Sequence, residues 1–166
     1  PGIDKFFVSG PFDGEVPDDT LSRRRIFRCR PNTTQQEEPC AREIIGGLVR
    51  RAYRRPVMSE DLDPLMRVYR EGRQDRDFEL GIERALEALL AMPGFLMRVE
   101  RRPIDTRAGA VYRLSDVELA SRLSFFLWRS IPDDELLELA ERGELNEAGN
   151  LTGQVRRMLA DPRATR

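Results

Sequence analysis

Two cysteines are the residues of this chain whose type and spacing most readily suggest chemistry. Cys29 and Cys40 are the only cysteines in the sequence, and ten residues separate them. A metal site that uses two thiolates needs further ligands, and none lies at a recognisable spacing from this pair. A redox dithiol is usually a C-x-x-C motif at the start of a helix, which this spacing does not match. The pattern favours a disulfide across a short loop, and two free buried thiols are the main alternative.

The sequence contains no histidine. The chain therefore has no histidine ligand for haem, no zinc site that uses histidine and no Ser-His or Cys-His mechanism. A glycine-rich phosphate loop and a nucleophile elbow are also missing from the sequence. Because no catalytic residue, metal ligand or cofactor-binding residue can be assigned, we do not expect this segment alone to be an enzyme or to hold a cofactor.

Arginine provides almost all of the positive charge, because Lys5 is the only lysine. The formal net charge of −1 argues against a general nucleic-acid-binding surface. A dense group at the end of the first predicted helix is nevertheless a candidate face for an anion or a partner protein, and it comprises Arg50, Arg51, Arg54 and Arg55. The alternative is a solvated helix face whose arginines pair with nearby acidic residues.

Three consecutive acidic residues, Asp133, Asp134 and Glu135, could in principle act in acid–base catalysis or bind calcium. They directly follow Pro132, at the start of a predicted helix. Because acidic side chains in a first turn complement the helix dipole, we interpret these residues as helix-capping groups.

The remaining sequence pattern predicts helices. From Glu38 onward, apolar residues recur at intervals of three and four over several stretches, which is typical of amphipathic helices. Pro39 is well placed for the first turn of the first of them. Gly46 and Gly47 lie inside this helix and cost roughly 1 kcal/mol each relative to alanine, which indicates close packing against another helix.

The clearest helix start is the capping box formed by Ser115 and Glu118. Apolar residues almost encircle the helix that follows, so we expect it to be the most buried element. Phe125, Phe126 and Trp128 are the expected core anchors of this helix. No apolar run in the sequence approaches the ~20 residues that a membrane-spanning helix needs.

The first 37 residues differ from the rest of the sequence. The stretch 3–12 is typical of a strand that ends in a Gly-Pro turn, and 23–30 has too little apolar periodicity for a helix. We therefore predict a mainly α fold, an irregular bundle of about six helices with a short N-terminal β arm at 1–37. A first helical domain is expected at 38–102 and a second at 103–166, which we expect to be truncated at its C-terminus because its last helix lacks a packing partner.

Four sequence motifs occur in the order found in one family of bacterial proteins. They are "GPFDGEVPDDTLSRRRIFRCRP" (10–31), "CAREIIGGLVRRAYRRPV" (40–57), "FELGIERALEALLAMPGFLMRVE" (78–100) and "YRLSDVELASRLSFFLWRSIPDDELLELAERGEL" (112–145). Over nearly its whole length the chain resembles planctomycete-type, cytochrome-c-associated multidomain proteins, which are exported proteins built of domains of unknown function. None of the four motifs is a catalytic signature.

The resemblance implies a β-sandwich-like region upstream, whose last strand would be 3–12, followed by two helical domains of unknown function. Haem in such proteins is attached through C-x-x-C-H motifs, which this sequence lacks, so the resemblance implies haem c in neighbouring domains only. It also implies export to the periplasm or the cell exterior, which agrees with a disulfide.

On these grounds we expect a non-catalytic helical scaffold or interaction segment of an exported c-type-cytochrome-associated protein, within an electron-transfer assembly. Its partners would be the flanking domains of its own polypeptide or subunits of a larger assembly, with no nucleic acid and no transmembrane segment. One alternative is part of an oxidoreductase or hydrolase site that missing domains complete. Another is an arginine-rich module that binds an anionic polymer through 50–55.

Overall fold

The computed structural model describes residues 19–97, 107, 109 and 111–165, and its regular elements are all helical. They are α1 (Leu21–Ile26), α2 (Thr34–Tyr53), α3 (Ser59–Asp75), α4 (Phe78–Ala91), α5 (Pro93–Leu96), α6 (Asp116–Trp128), α7 (Asp134–Glu141), α8 (Asn150–Ala160) and a 3₁₀ helix (Pro162–Thr165). Within these described residues there is no strand. The prediction of a mainly α fold is confirmed, although eight α-helices are described where about six were expected.

The short N-terminal β arm predicted for 1–37 is wrong for its described part. α1 forms there because Thr20 caps it, and the Thr20 hydroxyl oxygen accepts a hydrogen bond from the amide of Arg23 at 3.1 Å. Basic residues in the last turn of α1 also complement the negative end of its dipole. α2 already begins at Thr34, which takes up the end of the supposed arm. The predicted strand at 3–12 lies outside the described residues.

α2 is longer than the sequence pattern indicates, because it starts before the proline that was expected in its first turn. Pro39 lies inside the helix, where it has no N–H to donate to the carbonyl oxygen of Gln35. The helix ends at Arg54, whose φ of 57° is left-handed. Pro56 follows two residues later and prevents the helix from continuing. α2 therefore carries the whole of the predicted arginine face on its last turns and its C-terminal end.

Helices α2, α3 and α4 form the first hydrophobic core. Its buried side chains are Cys40, Ala41, Ile44, Ile45, Val49, Leu65, Met66, Tyr69, Ile82, Ala85 and Leu89. Ile26 and Phe27, at the end of α1, pack against this core. α3 and α4 approach closely at Gly81, where an added Cβ would lie 2.7 Å from the carbonyl oxygen of Tyr69. A glycine permits this crossing because it has no side chain.

The glycine pair in α2 does not have the environment that the sequence predicts. Among the described residues, no atom lies within 4 Å of a Cβ added to Gly46. Near a Cβ added to Gly47 there is only the guanidinium of Arg28, at 3.8 Å. In the part of the chain that the structure describes, no helix packs closely against either glycine.

Helices α6, α7 and α8 and the 3₁₀ helix surround the second core. Its buried side chains are Ala120, Trp128, Leu136, Ala140, Leu145 and Met158. Trp128 is 5% exposed, and its indole N–H donates a hydrogen bond to the carbonyl oxygen of Met158 at 3.0 Å. The prediction that Phe125 and Phe126 are core anchors is wrong, because they are 38% and 84% exposed. Phe126 lies two residues from both Ser124 and Trp128, so the helix turns its side chain about 200° from the buried face.

The capping box at the start of α6 is present as predicted. The amide of Glu118 donates a hydrogen bond to the hydroxyl of Ser115 at 3.3 Å, and the amide of Ser115 donates to the carboxylate of Glu118 at 3.1 Å. Across the part of the chain that the structure describes, no helix combines the length and the apolar character that crossing a membrane requires.

Candidate functional site

The two cysteines form a disulfide. It joins Cys29, after the end of α1, to Cys40 in the second turn of α2, with the Cα atoms 5.9 Å apart. Cys40 is buried in the first core, whereas Cys29 is half-buried and packs against it. The bond therefore fastens the α1 segment to the helix on which the first core is built, and of the alternatives raised by the spacing it is the disulfide that is present.

The arginines of the predicted face form contacts with different partners. The guanidinium of Arg50 lies against the carboxylate of Glu141 on α7, at 2.7 Å from Nη2 to Oε2 and 2.9 Å from Nε to Oε1. Its Nη1 also reaches Asp134, at 3.4 Å. The hydrogen bond to Glu141 raises the pKa of Arg50 above its usual value. Because Glu141 and Asp134 belong to the second core's helices, Arg50 joins the two cores.

The other arginines of this set point to different neighbours. Arg55 forms two hydrogen bonds with the carboxylate of Asp61, at 2.7 and 2.8 Å, which raise the pKa of Arg55. The guanidinium of Arg54 lies 6.0 Å from the centre of the Phe125 ring, at the outer limit of a cation–π contact. Arg51 lies on the side of α2 that faces α1. The structure therefore does not bring the four arginines together at one site.

The acidic residues at the start of α7 are held by the helix and by arginines. Asp133 caps α7 by accepting a hydrogen bond from the amide of Leu136 at 3.1 Å, and it accepts two more from Arg157 at 2.7 and 3.0 Å. Burial raises the pKa of Asp133, but the hydrogen bonds from Arg157 and Leu136 outweigh it and hold the pKa below its usual value. Glu135 pairs with Arg157 at 3.1 Å. These contacts agree with a capping role for the acidic run.

A further interaction, which the sequence pattern did not predict, lies at the edge of the second core. The guanidinium of Arg163 lies 3.6 Å from the centre of the Trp128 ring and pairs with Asp161 at 2.7 Å. The hydrogen bond from the Arg163 side chain lowers the pKa of Asp161 to about 2. The signal was the sequence "DPR", because the Asp161 carboxylate also accepts from the amide of Arg163 at 2.8 Å, as turn-forming aspartates do.

An open cleft of about 570 Å³ lies between the end of α2, α5 and the start of α6. Its polar lining includes Tyr53, Arg54, Arg55, Ser115 and Glu118. The Tyr53 hydroxyl contacts the sulfur of Met92 at 3.1 Å, and burial raises the pKa of this tyrosine. The cleft is large enough for a small molecule. Neither Asp133 nor Asp134 lines it, so the acidic run and the Arg54–Arg55 pair belong to different places.

Within the described residues there is no group of three or more histidine, cysteine, aspartate or glutamate side chains placed to hold a metal ion. The charged side chains around α2 and α7 instead form the contacts that hold the helices together.

These features define a class of protein that is all-helical in its described residues and has two hydrophobic cores. A disulfide lies at the first core, and ion pairs connect the first core to the second. Residues 40–100 match the family model described as PSD5, protein of unknown function (DUF1595), and residues 114–166 match the one described as PSD4, protein of unknown function (DUF1592). No curated protein and no solved structure matches the chain. The chain is therefore similar to two domain families of unknown function, in the order PSD5 then PSD4.

Proposed function

We propose that this chain is a non-catalytic helical scaffold of a larger exported, c-type-cytochrome-associated protein, in which it fixes the relative position of flanking domains. The observation that carries the proposal is the paired contact between Arg50 and Glu141, which connects α2 of the first core to α7 of the second. The contact between Arg54 and Phe125 lies beside it, between α2 and α6. A segment whose two cores are tied together in this way can hold its neighbours at a fixed distance and angle.

The proposed location is the periplasm or the cell exterior. The disulfide between Cys29 and Cys40 supports it, because disulfides persist in oxidising compartments and are rare in the reducing cytosol. The cytochrome context rests on the four sequence motifs, and haem c would be carried by neighbouring domains of the same polypeptide. The role in an electron-transfer assembly would then be structural, because the scaffold would position those haem domains.

We further propose two helical domains, 38–102 and 103–166, as the units of this scaffold. The two separate hydrophobic cores support this division. The partners would be flanking domains of the same polypeptide or subunits of a larger assembly. Phe126, which is 84% exposed on α6, is a candidate contact for them, since an exposed aromatic side chain is a frequent anchor in protein interfaces.

The cytochrome context is tested on the complete gene product that contains this chain. Cells that express it with a C-terminal tag are fractionated, and the tagged protein is examined by haem staining and by its absorption spectrum. We expect a haem-positive band in the periplasmic or extracellular fraction, with the cysteines protected from alkylation until a reductant is added. A haem-free protein in the cytoplasm would contradict both the export and the cytochrome association.

The scaffold role is tested on the chain itself by NMR residual dipolar couplings of amides in α3 and α7. For a rigid scaffold, both helices follow a single alignment tensor. Glu141→Gln removes the charge that holds Arg50, so we expect the two helices to require separate tensors in this variant. Arg84→Gln is the matched control, because it breaks an exposed ion pair with Glu87 inside α4. Separate tensors in the unaltered chain would mean that the cores move independently and would refute the scaffold role.

A second candidate function is part of an oxidoreductase or hydrolase site that missing domains complete. The cleft beside Tyr53 favours it, because Arg54 and Arg55 both contribute to its lining. A site of this kind predicts that small substrates or cofactors shift the NMR signal of the Gly94 amide, which also lines the cleft, and that Tyr53→Leu weakens this binding. A scaffold without a substrate predicts no saturable shift at this cleft with any compound of a screened set.

A further inference from the structure

Three arginines line a small surface cleft on the first core, away from the contact between the cores. Arg25 and Arg28 extend to it from α1 and the residues that follow, and Arg51 extends to it from α2. The first two are exposed and Arg51 is half-exposed. Within the described part of the chain, none of the three guanidinium groups pairs with a carboxylate. They differ in this from Arg50 and Arg55, which are both held in ion pairs.

Glu43 on α2 and Glu79 on α4 do not line this cleft. Glu43, one helical turn before Gly47 on α2, lines a separate cleft beside the disulfide. Glu79 on α4, which faces α1, is already paired with Arg23 at 2.5 Å. Among the described contacts, neither carboxylate forms an ion pair with Arg25, Arg28 or Arg51.

At the base of the cleft, α2 carries a glycine, so no side chain covers the helix backbone there. Gly47 lines the cleft, and of the described residues only the Arg28 guanidinium lies within 4 Å of a Cβ added there, at 3.8 Å. A glycine in the interior of a helix destabilises it, and no neighbouring helix of the described residues requires one here. A bare helix surface does allow a small group to approach the backbone between the arginines.

We propose that Arg25, Arg28 and Arg51 bind a tetrahedral oxyanion, a phosphate or sulfate group, above Gly47. Each guanidinium presents a planar pair of N–H donors that matches two oxygens of an oxyanion. Three such groups around one point can serve the four oxygens of a tetrahedral anion, whereas a carboxylate offers only two. This binding function is separate from the scaffold role and uses none of the residues that join the two cores.

The size of the cleft limits how the anion is held. The cleft volume of about 10 Å³ is enough for one water-sized atom. One oxygen therefore enters the cleft above Gly47, while the rest of the anion lies at its mouth among the guanidinium groups. A site of this shape accepts a free anion, and it also accepts the phosphate of a larger molecule whose remaining part stays in solvent.

The experiment is an NMR titration of the chain with inorganic phosphate, sulfate and acetate, each at constant ionic strength set with chloride. We expect saturable shifts of the Gly47 amide and of the Nε–H groups of Arg25, Arg28 and Arg51 with phosphate and sulfate, and weaker binding of acetate. The double variant R28Q/R51Q should bind at least about tenfold more weakly, equivalent to the loss of one or more charged hydrogen bonds. Arg42→Gln is the matched control, an exposed arginine on the same helix outside the cleft, and it should leave the affinity unchanged.

The variant Gly47→Ala distinguishes a specific binding site from nonspecific attraction of anions to positive charge. It keeps every charge and should raise the melting temperature, because alanine favours helices and its Cβ fits beside Arg28. We expect it to weaken phosphate binding about threefold or more, because the methyl group occupies the base of the cleft. The proposal is overturned if binding does not saturate, if acetate binds as tightly as phosphate, or if Arg42→Gln weakens binding as much as R28Q/R51Q does.

A second arm identifies the source of the anion. Vesicles that contain phosphatidylglycerol are compared with vesicles of phosphatidylcholine alone. If the chain binds the phosphatidylglycerol vesicles and inorganic phosphate displaces it, the ligand is a lipid headgroup. If the chain binds inorganic phosphate but no vesicles, the ligand is a soluble phosphate or sulfate.

Discussion

Arg50 and Glu141 lie 91 residues apart in the sequence, yet their side chains meet through a two-point contact between α2 and α7. Both side chains are mostly shielded from solvent, with 24% and 19% of their surface exposed. A partly buried ion pair with two hydrogen bonds is more strongly directional than an exposed pair of single charges. This contact is therefore a specific connection between the two hydrophobic cores.

Glu141→Gln should weaken the coupling between the cores. We expect a loss of about 1–2 kcal/mol in the free energy of unfolding, because Arg50 keeps its charge without its main partner. Urea unfolding should be followed by far-UV circular dichroism, which reports all helices, and by the fluorescence of Trp128, the only tryptophan, which reports the second core. The two transitions should coincide in the unaltered chain and separate in the variant.

The control for this experiment is Arg84→Gln, which breaks an ion pair whose two side chains are about half exposed. It should cost less than about 0.5 kcal/mol and leave the transitions coincident. Equal effects of the two substitutions would show that the contact between Arg50 and Glu141 has no special part in joining the cores.

Removal of the disulfide should destabilise the first core. The double variant C29S/C40S opens a short loop, and chain entropy predicts a loss of about 3 kcal/mol in the free energy of unfolding. Urea unfolding with and without dithiothreitol measures it, and the reductant should affect the unaltered chain but not the variant. Intact mass provides the direct check, because reduction adds two hydrogens to a disulfide-bonded chain. An unchanged mass after reduction would show that the bond does not form.

The sequence predicted those elements whose signals are local. The Ser115–Glu118 box marks the start of α6, and the regular apolar spacing after Glu38 indicates helices where the structure has α2, α3 and α4. α1 was missed because its three consecutive arginines obscure any apolar periodicity. Its helical form depends on the cap at Thr20 and on packing of the following residues against the first core, which is tertiary information.

The misplacement of Phe126 has a related cause. Apolar residues occur around most of α6, so the sequence pattern does not specify which face packs against neighbours. Only the positions of α7 and α8 decide that Trp128 is buried and Phe126 is exposed. The partners of Arg50 could not be predicted for the same reason, since a contact over 91 residues depends on how the two cores meet.

Two glycines in long helices should respond to alanine in opposite ways. Gly81→Ala places a Cβ 2.7 Å from the carbonyl oxygen of Tyr69, and since this is a backbone atom, the helices α3 and α4 must move apart. We expect a loss of about 2–3 kcal/mol. Gly46→Ala meets no atom of the described residues within 4 Å and should stabilise the chain by up to about 1 kcal/mol. Thermal and urea unfolding measure both, and destabilisation by Gly46→Ala would reveal a packing partner at that position.

The aromatic residues of α6 should also differ in their contribution to stability. Phe126→Ser should change the free energy of unfolding by less than about 0.5 kcal/mol, because 84% of the side chain is already exposed. Trp128→Phe should cost about 1–3 kcal/mol, because it reduces core volume and removes the hydrogen bond to the carbonyl oxygen of Met158. Circular dichroism measures both variants on the same scale. A large loss in Phe126→Ser would mean that this side chain is covered in solution.

The charge of Asp133 should make the stability of the second core depend on pH. Its pKa in the folded chain is below the usual 3.8, so the stabilisation is fully present above that value and is lost as the pH falls through the folded pKa. Asp133→Asn keeps a side-chain oxygen that can cap α7 and removes only the charge, which pairs with Arg157 and, at 3.5 Å, with Arg163.

At pH 7 we expect Asp133→Asn to be about 1 kcal/mol less stable than the unaltered chain, as for an ion pair whose side chains are partly exposed. The difference should shrink as the pH falls below 3.8 and through the lower folded pKa of Asp133, and it should vanish once the aspartate is also neutral. Urea midpoints followed by Trp128 fluorescence at each pH provide the measurement, and Asp63→Asn, at an exposed carboxylate of α3, should show no such trend. A constant difference from pH 7 to pH 2 would mean that Asp133 stabilises α7 through its shape and hydrogen bonds alone, and that its charge contributes nothing to the contact with Arg157.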